Sequence, residues 1–517
     1  MTSQANPKNY NLGSCITALG RSNANIFDTS HLKADIKGRS FRGGVLTVSA
    51  QGIKFILQTG STAVLARLLT PADFGLIAMV TAFTGFVNLF KDLGLSMATI
   101  QKKDITHQQI TNLFWVNIAT SCLLMIVYAM ISPFVSWFYG EPKLILVTIA
   151  MGPIFIFGGL VAQHTALMRR QMRFRALAVI EVVAMASGII AAIIAALSGR
   201  TYWSLVIMTA VKGVVNVILV WWQSPWRPGR PARHFGAEGL LSFGINLTGF
   251  NIINYFARNI DNILIGKIWG SVSLGFYSKA YGLLMLPITQ VATPIAAVAI
   301  PALSRLQNDK EEYKNYYYRA INLIAWITMP IVLMLAALSE EIIRIVLGEQ
   351  WMAAVPIFKV LAFASVIQPV VNPVGWVYIS LGQVDRLFRW SLFAVPVTCM
   401  SFAIGLPWGP IGVAVSYTIC SLTITFPCLS WAFRYSPITI RGWLAMVRCP
   451  LITSFVIYGV VEFTHTYIHF NPVKMILGGG SVGLGMLILV VGLWREARYE
   501  ALDGLQLLKL LQSSSTT

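Results

Sequence analysis

Apolar residues gather into long runs separated by short polar stretches. Fourteen such runs are read at 43–65, 74–96, 112–134, 144–166, 176–197, 202–222, 240–266, 273–299, 318–338, 354–380, 387–406, 409–431, 443–463 and 473–494. Each holds about 20 residues, enough helix to cross a ~30 Å hydrocarbon layer. A crossing segment must satisfy its own backbone groups, which leaves helices or a closed barrel, and uninterrupted apolar runs of this length select helices. The pattern predicts an all-α polytopic membrane protein with 14 transmembrane helices.

Length and composition agree. Of 517 residues, 56% are hydrophobic and only 11% charged, and the mean hydropathy is +0.68. A soluble chain carries about twice that charged fraction. Thirty-nine Lys and Arg against 20 Asp and Glu give a net charge of +19, and their distribution explains it. With the N-terminus inside, 27 Lys and Arg fall on the inner side and eight on the outer, Lys279 counted among the eight. That bias is the one cytoplasmic loops carry, and it places both termini in the cytoplasm. Nucleic-acid binding and a soluble enzyme are excluded.

The expected organisation is a cytoplasmic N-terminal arm (1–42), a first lobe of six helices (43–222), a cytoplasmic linker (223–239) and a second six-helix lobe (240–431). Two further helices (443–494) and a cytoplasmic tail (495–517) follow. The arm has no apolar core and no small-residue cleavage site, so it does not read as a signal peptide. An offset of 200 lays the first run over the seventh. Leu65-Ala66-Arg67-Leu68 falls on Ile265-Gly266-Lys267-Ile268, and Phe74-Gly75 on Leu274-Gly275. Two like-oriented repeats with a substrate site between them are a known transporter construction.

Polar residues inside the runs mark the candidate site. Gln51, Lys54, Gln58 and Ser61 in the first run answer to Asn251, Asn254, Arg258, Asp261 and Asn262 in the seventh. Spacings of three and four put each set on one helical face. An ionised group at mid-bilayer costs at least ~2.5 kcal/mol, so such a stripe faces other helices or a water-filled cavity. Helix–helix hydrogen bonding is the bland alternative. Lys54, Lys212 and Arg258 are read as cavity cations that draw an anionic substrate, with Gln51, Gln58, Asn251, Asn254 and Asn262 as polar lining. For Lys54 the alternative is a structural pair, and for Arg258 an ion pair with Asp261. Asp261 is the candidate for ion coupling, Lys91-Asp92 reads as a locked pair, and Glu181 and Glu462 are the other acids within spans. Asn372-Pro373 and Gln368-Pro369 predict a bend.

The six cysteines show no metal-ligand spacing, and His465 with His469 lacks a third ligand. No Gly-rich phosphate loop or hydrolase motif occurs, so no metal, cofactor or active site is expected.

Asn254-Tyr255-Phe256-Ala257-Arg258-Asn259-Ile260-Asp261-Asn262-Ile263-Leu264-Ile265-Gly266 with Leu274-Gly275-Phe276-Tyr277-Ser278 resembles the signature of the polysaccharide transporter family. So do Ala66-Arg67-Leu68-Leu69-Thr70-Pro71-Ala72-Asp73-Phe74-Gly75 and Arg169-Arg170-Gln171-Met172-Arg173-Phe174-Arg175. The family holds O-antigen, capsule and colanic-acid-type flippases within the multidrug/oligosaccharidyl-lipid/polysaccharide exporter superfamily. The resemblance spans about residues 38–495, leaving the first thirty-odd as an extension. It implies a flippase of the bacterial inner membrane that moves undecaprenyl-pyrophosphate-linked oligosaccharides outward through a cationic cavity by alternating access. Implied partners are that lipid-linked oligosaccharide, membrane lipids, and the polysaccharide polymerase and glycosyltransferases of the same pathway. Two rivals stand beside it. A multidrug cation antiporter of the superfamily would favour acids in the cavity, and a membrane polysaccharide polymerase or glycosyltransferase would show a large external loop or a cytoplasmic acidic motif.

Overall fold

In the computed structural model, the described residues are 36–91, 99, 105–231, 238–467, 471–494 and 496–498. Of these, the side chains of 36–49, 238–254, 257 and 466 stand outside the description. Most of the N-terminal arm, Asp92, His469 and nearly all of the tail lie outside the described residues.

The described chain is helical throughout. α1 (Ile36–Leu68), α2 (Pro71–Asn88), α3 (His107–Tyr139), α4 (Lys143–Met151), α5 (Pro153–Arg170), α6 (Phe174–Leu197) and α7 (Trp203–Gln223) form the first half. The second half comprises α8 (Glu238–Arg305), α9 (Lys310–Ala337), α10 (Ser339–Val346), α11 (Val355–Val371), α12 (Val374–Ser380), α13 (Val384–Gly405) and α14 (Gly409–Phe433). α15 (Ile440–Tyr467) and α16 (Pro472–Leu493) close the chain. Eleven segments of the described residues are long and apolar enough to cross a membrane. Two of them, Arg258–Arg305 and Val384–Phe433, run to 48 and 50 residues, a length that holds two crossings each. α1 falls outside the eleven because its polar stripe lowers its hydropathy.

Local chemistry sets the boundaries. Thr70 and Asp73 form a reciprocal capping box, the Asp73 amide donating to Thr70 Oγ1 (3.3 Å) and the Thr70 amide to Asp73 Oδ2 (2.9 Å), with Pro71 in the first turn. Gly152-Pro153 divides α4 from α5, and Asn372-Pro373 divides α11 from α12, the bend that the sequence predicts there. The seventh and eighth runs, separate in the sequence reading, are continuous in α8 except at Gly270. That residue sits at φ 76°, a left-handed conformation in which glycine meets no Cβ clash.

Apolar side chains such as Leu123, Ile126, Met130, Ile190 and Ile194 stay exposed on the outer helix faces. A belt of this kind suits lipid, in which such surface carries no penalty. α15 is no loose appendage: it packs along α9, with Trp443 and Val447 in the main core. The ion pair Lys359–Glu462 (3.1 Å) and a hydrogen bond between His465 Nε2 and Glu341 Oε1 (2.6 Å) tie it to the second half. The start of the expected linker is also structured, for Trp226 is fully buried and donates to His107 Nδ1 (3.1 Å).

The halves meet chiefly through α2 against α8 and, at one end, through residues 339–354 against α1. We call that end sealed. There a Cβ on Gly75 would collide with the Ser271 carbonyl, and one on Gly275 with the Pro71 carbonyl. Positions 71 and 271, and 75 and 275, are the pairs related by the 200-residue offset. The repeat read from sequence is therefore expressed as a reciprocal contact.

Candidate functional site

A cavity of about 340 Å³ lies between the halves, inward of the sealed end. α1 contributes Gln58 and Thr62, α2 contributes Phe74 and Thr81, and α8 contributes Asn259, Asn262, Ser278 and Lys279. Lys279 carries the charge. Its ammonium sits 3.9 Å from the centre of the Phe74 ring, a cation–π contact that replaces part of the water it loses. No carboxylate lines this cavity among the described residues. The arrangement offers one cation and several amides and hydroxyls, a set able to bind phosphate and sugar hydroxyls alike.

Two expected lining residues, Gln58 and Asn262, meet here. Gln51 lies on α1 but does not line this cavity, and the side chains of Asn251 and Asn254 fall outside the described ones. Asn259 and Lys279 enter unexpectedly. The charge-bias reading assigns Lys279 to the outer side, at the nearer end of its run. Its position seven residues into the 273–299 run was the available signal.

The expected cations stand elsewhere. Lys54 donates to Glu181 Oε2 of α6 at 2.7 Å, so the structural-pair alternative describes its contact. Arg258, next to the lining residue Asn259 on α8, is exposed and does not itself line the cavity, and Lys212 is exposed on α7. Neither is in an ion pair among the described residues. Asp261, 6% exposed, does not pair with Arg258. It accepts instead from the Tyr277 hydroxyl (3.0 Å) and the Asn262 amide (2.8 Å). The i+3 spacing allows the ion pair, but a buried carboxylate gains more from donors that are buried with it. The described residues hold no cluster of three or more His, Cys, Asp or Glu fit for a metal.

Residues 64–356 match the model of a family described as "Polysaccharide biosynthesis protein". Among curated proteins, the chain is 26% identical over 459 residues to the teichuronic acid biosynthesis protein TuaB of Bacillus subtilis (strain 168), covering 86% of this chain and 94% of that one. It is 26% identical over 404 residues to the lipopolysaccharide biosynthesis protein WzxC of Escherichia coli (strain K12), covering 76% and 80%. Among solved structures it superposes on the lipid II flippase MurJ in an inward closed conformation with a TM-score of 0.68, at 14% identity, covering 86% of this chain and 98% of that one. An inward-facing multidrug MATE transporter of the MOP superfamily gives a TM-score of 0.58 at 13% identity, covering 76% and 97%. At such identities these two likenesses establish a shared fold and nothing further.

Proposed function

The chain belongs to the polysaccharide biosynthesis protein family, and from that premise we propose that it flips a lipid-linked oligosaccharide across a bacterial inner membrane during polysaccharide biosynthesis. The substrate in this reading is an undecaprenyl-pyrophosphate-linked repeat unit, moved from the cytoplasmic to the periplasmic leaflet. The chain crosses fourteen times with both termini cytoplasmic, which makes the sealed end periplasmic and the conformation described here inward-facing. A polymerase and glycosyltransferases of the same pathway are its expected partners.

The observation that carries the reading is the polar cavity between the halves, with an ammonium and, among the described residues, no carboxylate in its lining. In hydrocarbon such groups are retained only against protein, water or a polar ligand. The pyrophosphate meets the exposed Arg258 first and Lys279 deeper, while the polyprenyl tail stays in lipid. Lys212 adds positive charge along the first half, where Lys54 is held by Glu181 and serves the substrate only by exchanging that partner. Asp261, held by Tyr277 beside the cavity, is the candidate for ion coupling, and Asp261→Asn then spares binding while removing the dependence of flipping on the membrane gradient.

The test of the site is Lys279. Lys279→Met removes the charge and keeps the aliphatic volume, so polymer export stops while membrane abundance holds. Lys279→Arg retains partial export because the charge persists in altered geometry. Normal export by Lys279→Met contradicts the site. A multidrug cation antiporter is disfavoured by the same lining, since a cationic drug gains nothing from an ammonium.

A further inference from the structure

The sealed end carries the same cation contact twice. Arg67, at the last turn of α1, donates a guanidinium N–H to the Ile345 carbonyl at the end of α10 in the other half. Lys267, its partner at the 200-residue offset, donates from Nζ to the Phe138 carbonyl at the end of α3 in the first half. Both receiving helices end close to a glycine of positive φ. α3 stops at Gly140 (φ 73°), and α10 stops at Leu347 with Gly348 (φ 105°) one residue on, and the last turn of each helix has carbonyls without an intrahelical partner. A cation there completes an orphan acceptor and lies at the negative end of the helix dipole.

Each α1- or α8-type turn is also covered by an aromatic ring of the opposite half. Trp351 donates Nε1–H to the Ala66 carbonyl (2.8 Å) and is fully buried. Around Gly266, the position offset by 200 from Ala66, a Cβ would lie 2.9 Å from Tyr139 Cε1. Both turns therefore have a cation reaching out, an aromatic ring reaching in and a glycine at the backbone crossing.

We infer that Arg67 and Lys267 are paired latches, each capping a helix end of the opposite half, and that together they hold the sealed end shut. The two donors are related by the 200-residue offset and reach across the interface in opposite directions, so a rigid rotation of one half against the other breaks both in one step. That makes the closed state two-valued rather than gradually deformable. The inference uses the transport reading only for its direction, since the latch is a property of the closed end itself.

The experiment measures the opening of that end in purified, substrate-free full-length protein. Spin labels go at Leu146→Cys and Trp408→Cys, exposed positions in opposite halves, on a background in which the six native cysteines are replaced. Pulsed electron–electron resonance then reads the distance distribution. Arg67→Met and Lys267→Met keep side-chain volume and remove the donor. Each is expected to raise the long-distance population about fivefold relative to the short one, and the double variant more than either, as loss of a partly exposed charge-assisted hydrogen bond implies. Arg67→Lys with Lys267→Arg restores the short distance. An unchanged distribution in the double Met variant overturns the latch, and so does a shift that the Lys/Arg exchange fails to reverse, because a cation is then not what holds the end. Neither result depends on what is transported, so failure of the latch and failure of the flippase reading are distinguishable.

Discussion

Replacing Lys54 by methionine separates the two environments open to its ion pair. Lys54 and Glu181 are in contact at 2.7 Å, with side chains 24% and 51% exposed. If that exposed surface meets cavity water, the pair behaves like one at a protein surface and contributes about 0–1 kcal/mol. Glu181 left alone then stays hydrated, and Lys54→Met accumulates at close to the normal level. If the surface meets hydrocarbon, the orphaned carboxylate costs at least ~2.5 kcal/mol, roughly a 70-fold change in the folding equilibrium. Abundance then collapses, and Lys54→Met/Glu181→Leu restores it, because removing both charges abolishes the desolvation cost. The cavity-cation reading predicts the first pattern: normal abundance, no polymer export in Lys54→Met, and no export in the double variant. Membrane abundance by immunoblot and surface polymer by quantitative staining, measured on the same cells, give both readouts. Normal export by the abundant double variant refutes the reasoning.

Two further outcomes follow from the sealed end and the charge bias. Gly75→Val and Gly275→Val place a side chain against a backbone carbonyl that has no room to yield; overpacking of this kind costs about 1–3 kcal/mol, so both lower thermal stability while valine at Gly282, where no atom lies within 4 Å of the new Cβ, does not. C-terminal reporter fusions after Gly199 and Gly348 report the periplasm, and those after Arg233 and Arg386 the cytoplasm, with two reversals among the four contradicting the orientation.

The helical class, the repeat and the bend at Asn372-Pro373 were legible because each depends on neighbours in sequence or on a fixed offset. Hydrophobic run length identifies a crossing without knowledge of what surrounds it. The partners of charges within the helices were not legible. Glu181 lies 127 residues from Lys54, and nothing in the sequence of either helix says that α1 and α6 lie side by side. Asp261 illustrates the opposite error, for its nearest cation in sequence, Arg258, is not the group that satisfies it. Tyr277 does so from beyond the Gly270 kink, which folds α8 back on itself. Lys279 is visible in the sequence as a charge near the end of a run, but the cavity it lines is formed by α1, α2 and α8 together, which no single run reveals.

The central claim is tested most directly by the leaflet distribution of the lipid-linked oligosaccharide in the native organism. In spheroplasts, an impermeant glycan-oxidising reagent followed by extraction of the polyprenyl-pyrophosphate pool reads the fraction exposed on the outer face. With the protein present the account predicts that most of the pool is reached. On depletion of the protein, or with Lys279→Met in its place, the pool should accumulate and become protected. An outer-face fraction that is the same with and without the protein contradicts the flippase reading.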